Sequence, residues 1–90
     1  MEYNKEEELQ LYRNIGSNIK YYRLLYSLEK SKLTQERLAE MIDVSTAFIG
    51  NLESNKIKQG LSVYTLCKIS KVLGVSVDDL VAEPKIKVVN

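Results

Sequence analysis

Histidine and tryptophan are absent from this 90-residue chain, and cysteine, proline and phenylalanine occur once each. Without histidine the commonest general base and metal-binding side chain is missing. The lone Cys67 has no base to activate it and no second cysteine to pair with, and no cluster of Cys, Asp and Glu shows metal-ligand spacing. The four glycines are scattered, so no phosphate-cradling loop is present. Together these absences speak against catalysis and against a metal or other cofactor. A single cysteine fits a reducing compartment, and a cytoplasmic location is expected. No apolar run approaches the ~20 residues that a membrane span needs. The opening "MEYNKEEELQ" is acidic, without the basic-then-apolar layout of a signal peptide.

What is present is an ordinary globular composition, 44% hydrophobic and 28% charged, sufficient for one modest core. The net charge of +1 conceals an uneven distribution. Residues 1–12 carry −3, residues 13–75 carry +5 and residues 76–90 carry −1. A basic body between two acidic ends suits a polyanionic partner, although many plain surfaces share such a bias.

The chain reads as helices throughout. Leu9, Tyr12, Ile15, Ile19 and Tyr22 recur at three- and four-residue steps, which predicts a first helix continuing through Leu25. "SLEKSK" (27–32) is expected to be a polar connector. Thr34 caps a second helix with Glu36 in its first turn, Asp43 breaks it, and Ser45 caps a third. Ser62 caps a fourth helix in which Leu66, Ile69 and Leu73 face inward and Gly74 ends the run. Cys67, beside Leu66, is expected as a small buried hydrophobe. Ser76 and Asp79 suggest a capping box opening a short fifth helix that Pro84 stops. Residues 85–89 alternate as a short strand would, or form a tail. The fold class expected is all-α with five helices. Of the tyrosines, Tyr12 and Tyr22 are expected in the core and Tyr21 and Tyr26 at the surface.

Residues 34–53, "TQERLAEMIDVSTAFIGNLE", hold two short helices joined by a tight turn, the second opening with small polar side chains. That is the layout of a DNA-binding helix-turn-helix. A helix entering the major groove must let its first residues reach base edges, so bulky core side chains cannot stand there. Thr and Ser can bond several bases, Asn can engage adenine through two bonds, and Ala can touch a thymine methyl.

At these residues the chain resembles the Cro/phage-repressor (xenobiotic-response-element, XRE) type of helix-turn-helix regulator. The matching pieces are "IGSNIKYYR" (15–23), "LTQERLAEMIDVS" (33–45), "FIGNLE" (48–53) and "LCKISKVLGVSVDDL" (66–80), in the family's order. The resemblance implies a five-helix, lambda-repressor-like domain over residues 13–83. An acidic extension of the first helix (1–12) precedes it and a tail (84–90) follows. It further implies a supporting helix at 34–42, a recognition helix at about 45–53, and a homodimer on duplex DNA. Thr46, Ala47 and Asn51 fall where such proteins touch bases, and Gln35 where they clamp a phosphate. Thr34, Ser45, Phe48, Lys56 and Lys58 are further candidates for the phosphate backbone, although Phe48 could instead pack on the helix and the two lysines could be plain solubilising charges. Arg23 and Glu53 fall where many members pair internally.

The sequence also departs from that pattern. Asp43 and Asn55 stand where Gly is frequent, at positions that tend to need left-handed backbone, which Asn and Asp tolerate next best. Between Arg23 and Leu33 lie nine residues against the usual four or so, implying a longer first helix or a protruding loop. Val75, Val77, Leu80 and Val81, with Ile86, Val88 and Val89 after them, exceed what a small core needs. Self-association through the C-terminal helix and tail is therefore expected, against folding back on the same chain. A repressor is the simplest output. The competing reading is a protein-interaction module of the same fold, an antitoxin or antirepressor-type partner binder.

Overall fold

The computed structural model describes residue 2, residues 4–55 and residues 60–85. Five helices occupy them: α1 (Lys5–Glu29), α2 (Gln35–Ile42), α3 (Thr46–Ser54), α4 (Val63–Leu73) and α5 (Val77–Val81). No strand occurs among the described residues. The tail residues Ile86, Val88 and Val89 lie outside them.

Short polar side chains set where each helix begins. Asn4, Thr34, Ser45, Ser62 and Ser76 sit in extended backbone and accept from amides two or three residues on, satisfying donors that a helix start leaves orphaned. At Ser76 the arrangement is reciprocal, since Asp79 also accepts from the Ser76 amide. That hydrogen bond holds the Asp79 carboxyl below its ordinary pKa. Its contribution to α5 is therefore present above the usual carboxylate range and lost as pH falls through the lowered value. The helix ends are as specific: Asp43, Asn55 and Gly74 adopt left-handed backbone at φ 59°, 58° and 71°, closing α2, α3 and α4.

The core gathers one stripe from each helix: Ile15, Ile19 and Tyr22 from α1, Leu38, Ala39 and Ile42 from α2, Ile49 and Leu52 from α3, Ile69 and Leu73 from α4, and Leu80 from α5. Two polar contacts fasten helix ends. Buried Asn18 donates to the carbonyls of Leu80 and Ala82 at 2.8 and 2.7 Å, tying α5 to α1. Lys68 of α4 donates to the Ile42 carbonyl at 2.6 Å, placing a cation at the negative end of α2.

Of the two readings of the long Arg23–Leu33 interval, the longer first helix is the one found. It runs through Glu29, so the stretch expected as a polar connector from residue 27 begins inside the helix. The cause is tertiary: Ser27 Oγ donates back to the Arg23 carbonyl and accepts the Leu33 amide at 2.9 Å, so the connector folds onto the last turn. At 25 residues α1 is about 37 Å long, and it sets the longest dimension of the molecule, 42 Å. Three further expectations need correction. Cys67 is exposed, because the Leu66–Ile69–Leu73 stripe turns it away from the core. Tyr12 is half-buried, not core, whereas Tyr21 and Tyr26 pack partly against the core. In the C-terminal apolar group Leu80 is fully buried and Val75 and Val81 pack on the core, so part of the apparent surplus is absorbed within the chain.

Gly16 lets α1 and α3 cross backbone to backbone. A Cβ there would run into the Leu52 carbonyl oxygen of α3 and come within 2.8 Å of Asn55 Oδ1. Both neighbours belong to the helix end, and the first is backbone that cannot swing aside. Gly16→Ala is expected to lower stability by about 1–3 kcal/mol through overpacking. Thermal unfolding checks this, and an unchanged midpoint would show that α1 and α3 do not meet backbone to backbone.

Candidate nucleic-acid interface

Helix α3 turns one face inward and leaves the other open. Ile49 and Leu52 are buried, and Phe48 is half-buried against the core. Thr46 and Ala47 are exposed, with Gly50 and Asn51 half-buried one turn farther on. Spacing of four residues puts Thr46 above Gly50 and Ala47 above Asn51, two adjacent columns of a single outward surface. None of the α3 side chains on that surface is long or charged, so a flat partner edge can approach the helix closely. Gly50 lies beside Gln35: a Cβ there would meet Gln35 Oε1 at 3.4 Å, an ordinary contact.

The far end of α3 is held by an ion pair. Arg23 Nε and Nη2 donate to the two Glu53 oxygens at 2.7 and 2.9 Å, a bidentate fork, while Nη1 donates to the Leu33 carbonyl at 3.0 Å. Gln35 Nε2 adds a third donor to Glu53 at 3.0 Å. The two charged side chains are 11% and 2% exposed, so both are largely desolvated and neither can be removed singly without leaving the other unpaired. Three elements meet here: α1, the start of α2 and the end of α3.

The other candidates are placed as follows. Thr34 and Ser45, the caps of α2 and α3, are exposed and use their hydroxyls on the Arg37 and Phe48 amides. Gln35 stands at the first position of α2 with one amide N–H committed to Glu53 and a second left over. Lys56 and Lys58 lie outside the described residues. Among the described residues no group of His, Cys, Asp and Glu could hold a metal ion, and no helix is long and apolar enough to cross a membrane.

Two helices packed through Leu38, Ala39, Ile42 and Ile49, a left-handed turn at Asp43, and an open second helix make up one helix-turn-helix unit. A family model described as helix-turn-helix matches residues 19–80. The chain belongs to the XRE/Cro-type helix-turn-helix family. Among curated proteins and solved structures, nothing matches it. In this helix-turn-helix protein the match begins inside α1 and ends within α5.

Sequence reasoning missed two features of the site. The bond from Gln35 to Glu53 has no signal in spacing, because the residues are eighteen positions apart and meet only once α2 and α3 pack. The cleft between α1 and the end of α3, lined by Leu9, Tyr12, Arg13, Asn51, Leu52 and Asn55, depends on the Gly16 crossing. Truncating Arg23 to Ala is expected to cost about 3–5 kcal/mol, because Glu53 would remain charged in a dry site. The paired change Arg23→Met with Glu53→Leu should lose less. Urea unfolding reads both, and coincident curves for wild type and Arg23→Ala would discard the ion pair as a determinant of the fold.

Proposed function

We propose that this helix-turn-helix protein is a sequence-specific, duplex-DNA-binding transcriptional regulator, a repressor acting as a homodimer with α3 in the major groove. The observation that carries the reading is the outward face of α3. It bears Thr46, Ala47 and Asn51, small or short polar residues, around a glycine, on a helix clamped at its opposite end by a buried ion pair. Polar tips with no packing duty suit base edges: Asn51 can form two bonds to adenine, Thr46 one to several bases, and Ala47 an apolar contact with a thymine methyl.

Register on the backbone would come from the helix starts. Thr34, Gln35 and Ser45 stand at the starts of α2 and α3, and the positive end of a helix favours a phosphate. Lys56 and Lys58, which follow α3 in the sequence, would add charge of the right sign. Phe48 is half-buried, which leaves its ring edge as an apolar contact at the groove wall. A two-fold dimer would set its recognition helices ~34 Å apart and read a roughly palindromic operator. Half-buried Val77 of α5, together with the residues that follow the helix in sequence, would carry that association.

A second reading has one observation in its favour. Leu24 and Leu28, four residues apart on α1, are 46% and 86% exposed, a small apolar strip of the kind that partner proteins cover. The salt dependence of duplex binding separates the two: phosphate contacts give a steep fall of log affinity with log salt. An interaction module would bind no duplex even at low salt.

The decisive experiment selects bound sequences from random duplex DNA and then compares Asn51→Ala with wild type. On the selected site the variant should lose about 1–3 kcal/mol while random duplex is bound as before. Equal losses on both would remove Asn51 from the base readers, and failure to enrich any sequence would refute sequence-specific recognition.

A further inference from the structure

We infer that Arg13, on the part of α1 that precedes the family match, is a phosphate contact of this protein, set beside the recognition helix by the Gly16 crossing. The inference rests on the DNA-binding reading above and adds an element to it.

Leu9, Tyr12, Arg13 and Gly16 follow the i, i+3, i+4, i+7 pattern that puts four residues on one helix face. That face meets Asn51, Leu52 and Asn55 at the end of α3. Three of its four members behave as packing residues should: Leu9 and Tyr12 are half-buried and Gly16 is buried. The fourth is a guanidinium. Arg13 is exposed and makes no hydrogen bond or ion pair among the described residues. A long cation at a packing position, directed toward a partner helix yet bonded to nothing there, points to a partner outside the chain.

The space beside it indicates what kind. The cleft offers about 70 Å³, well below the several hundred Å³ of small-molecule sites. It is a notch for one group presented by a larger body, and its polar lining, Arg13, Asn51 and Asn55, contains no carboxylate. An anionic group fits that chemistry. The proposed base reader Asn51 lines the same notch, so whatever Asn51 touches lies within a side-chain length of Arg13. The major groove is about 12 Å wide, close to the diameter of a helix with its side chains. Phosphates therefore flank a recognition helix on both sides, and Arg13 stands on one flank.

The position is also rigid. Gly16, one turn from Arg13, touches α3 with no side chain between, and Gln10 bonds the buried Asn14 at 2.9 Å on the adjoining turn. The contact ends there: Glu6, Glu7 and Glu8 occupy the first turn of α1, roughly 7–10 Å beyond Arg13 at 1.5 Å per residue. They suit the helix start and repel a phosphate backbone.

The test measures binding of the full chain to its selected duplex and to random duplex between about 50 and 200 mM salt, for wild type, Arg13→Ala and Arg13→Lys. A two-fold dimer loses two phosphate contacts, one per protomer, which should reduce the log–log salt slope by about 1.8 and weaken both duplexes about 30- to 100-fold near 0.1 M salt. Arg13→Lys should keep the slope, and all three proteins should melt together because Arg13 holds nothing in the fold. A wild-type slope in Arg13→Ala would overturn the inference while leaving the DNA reading intact. A loss confined to the selected site would also overturn it, since that marks a base contact. If wild type itself binds no duplex, the parent reading fails, and this becomes visible before any variant is made.

Discussion

Glu53 lies in the last turn of α3 with its carboxylate almost fully removed from water, and three donors converge on it: two from Arg23 and one from Gln35. Burying a charge this way adds little net stability over an apolar pair of the same shape. What it adds is geometry. A guanidinium fork accepts a carboxylate in one plane and one orientation, so α3 is fixed about its own axis relative to α1. The rotation of α3 decides which residues face outward. Thr46, Ala47 and Asn51 are presented together only while Ile49 and Leu52 stay inward and Glu53 stays in the fork.

The same site joins α2 to α3. Gln35 opens α2 and donates to Glu53, so the start of α2 is tied to the last turn of α3. The Gly16 crossing acts at the neighbouring turn, bringing α1 against the Leu52 carbonyl. Between them, one ion pair and one glycine hold α3 from two sides. The outward face of α3 is thereby fixed to the core, with its free side chains short enough to need little ordering.

Much of this was legible in the chain because it is local. Serines and threonines before apolar runs mark helix starts through bonds spanning three residues. Asp43, Asn55 and Gly74 mark ends because few residues tolerate left-handed backbone. The five-helix order and the outward face of α3 follow from those marks together with the Leu38–Ala39–Ile42 stripe. Features that depend on packing were less accessible. Ser27 extends α1 only because Leu33 returns to it, and Cys67 looks apolar in sequence but lies off the stripe its neighbours define. For Arg13, spacing gives the face but not what opposes it, since the closeness of α1 to α3 depends on a glycine whose role appears only once the helices cross.

Backbone amide resonances followed during titration with the selected duplex report whether the open face of α3 is the surface this helix-turn-helix protein lays against DNA. The largest shifts should fall on Thr46, Ala47 and Asn51 and on the first amides of α2, with the Leu24–Leu28 side of α1 silent. Shifts concentrated on Leu24 and Leu28, with α3 unmoved, would contradict that placement.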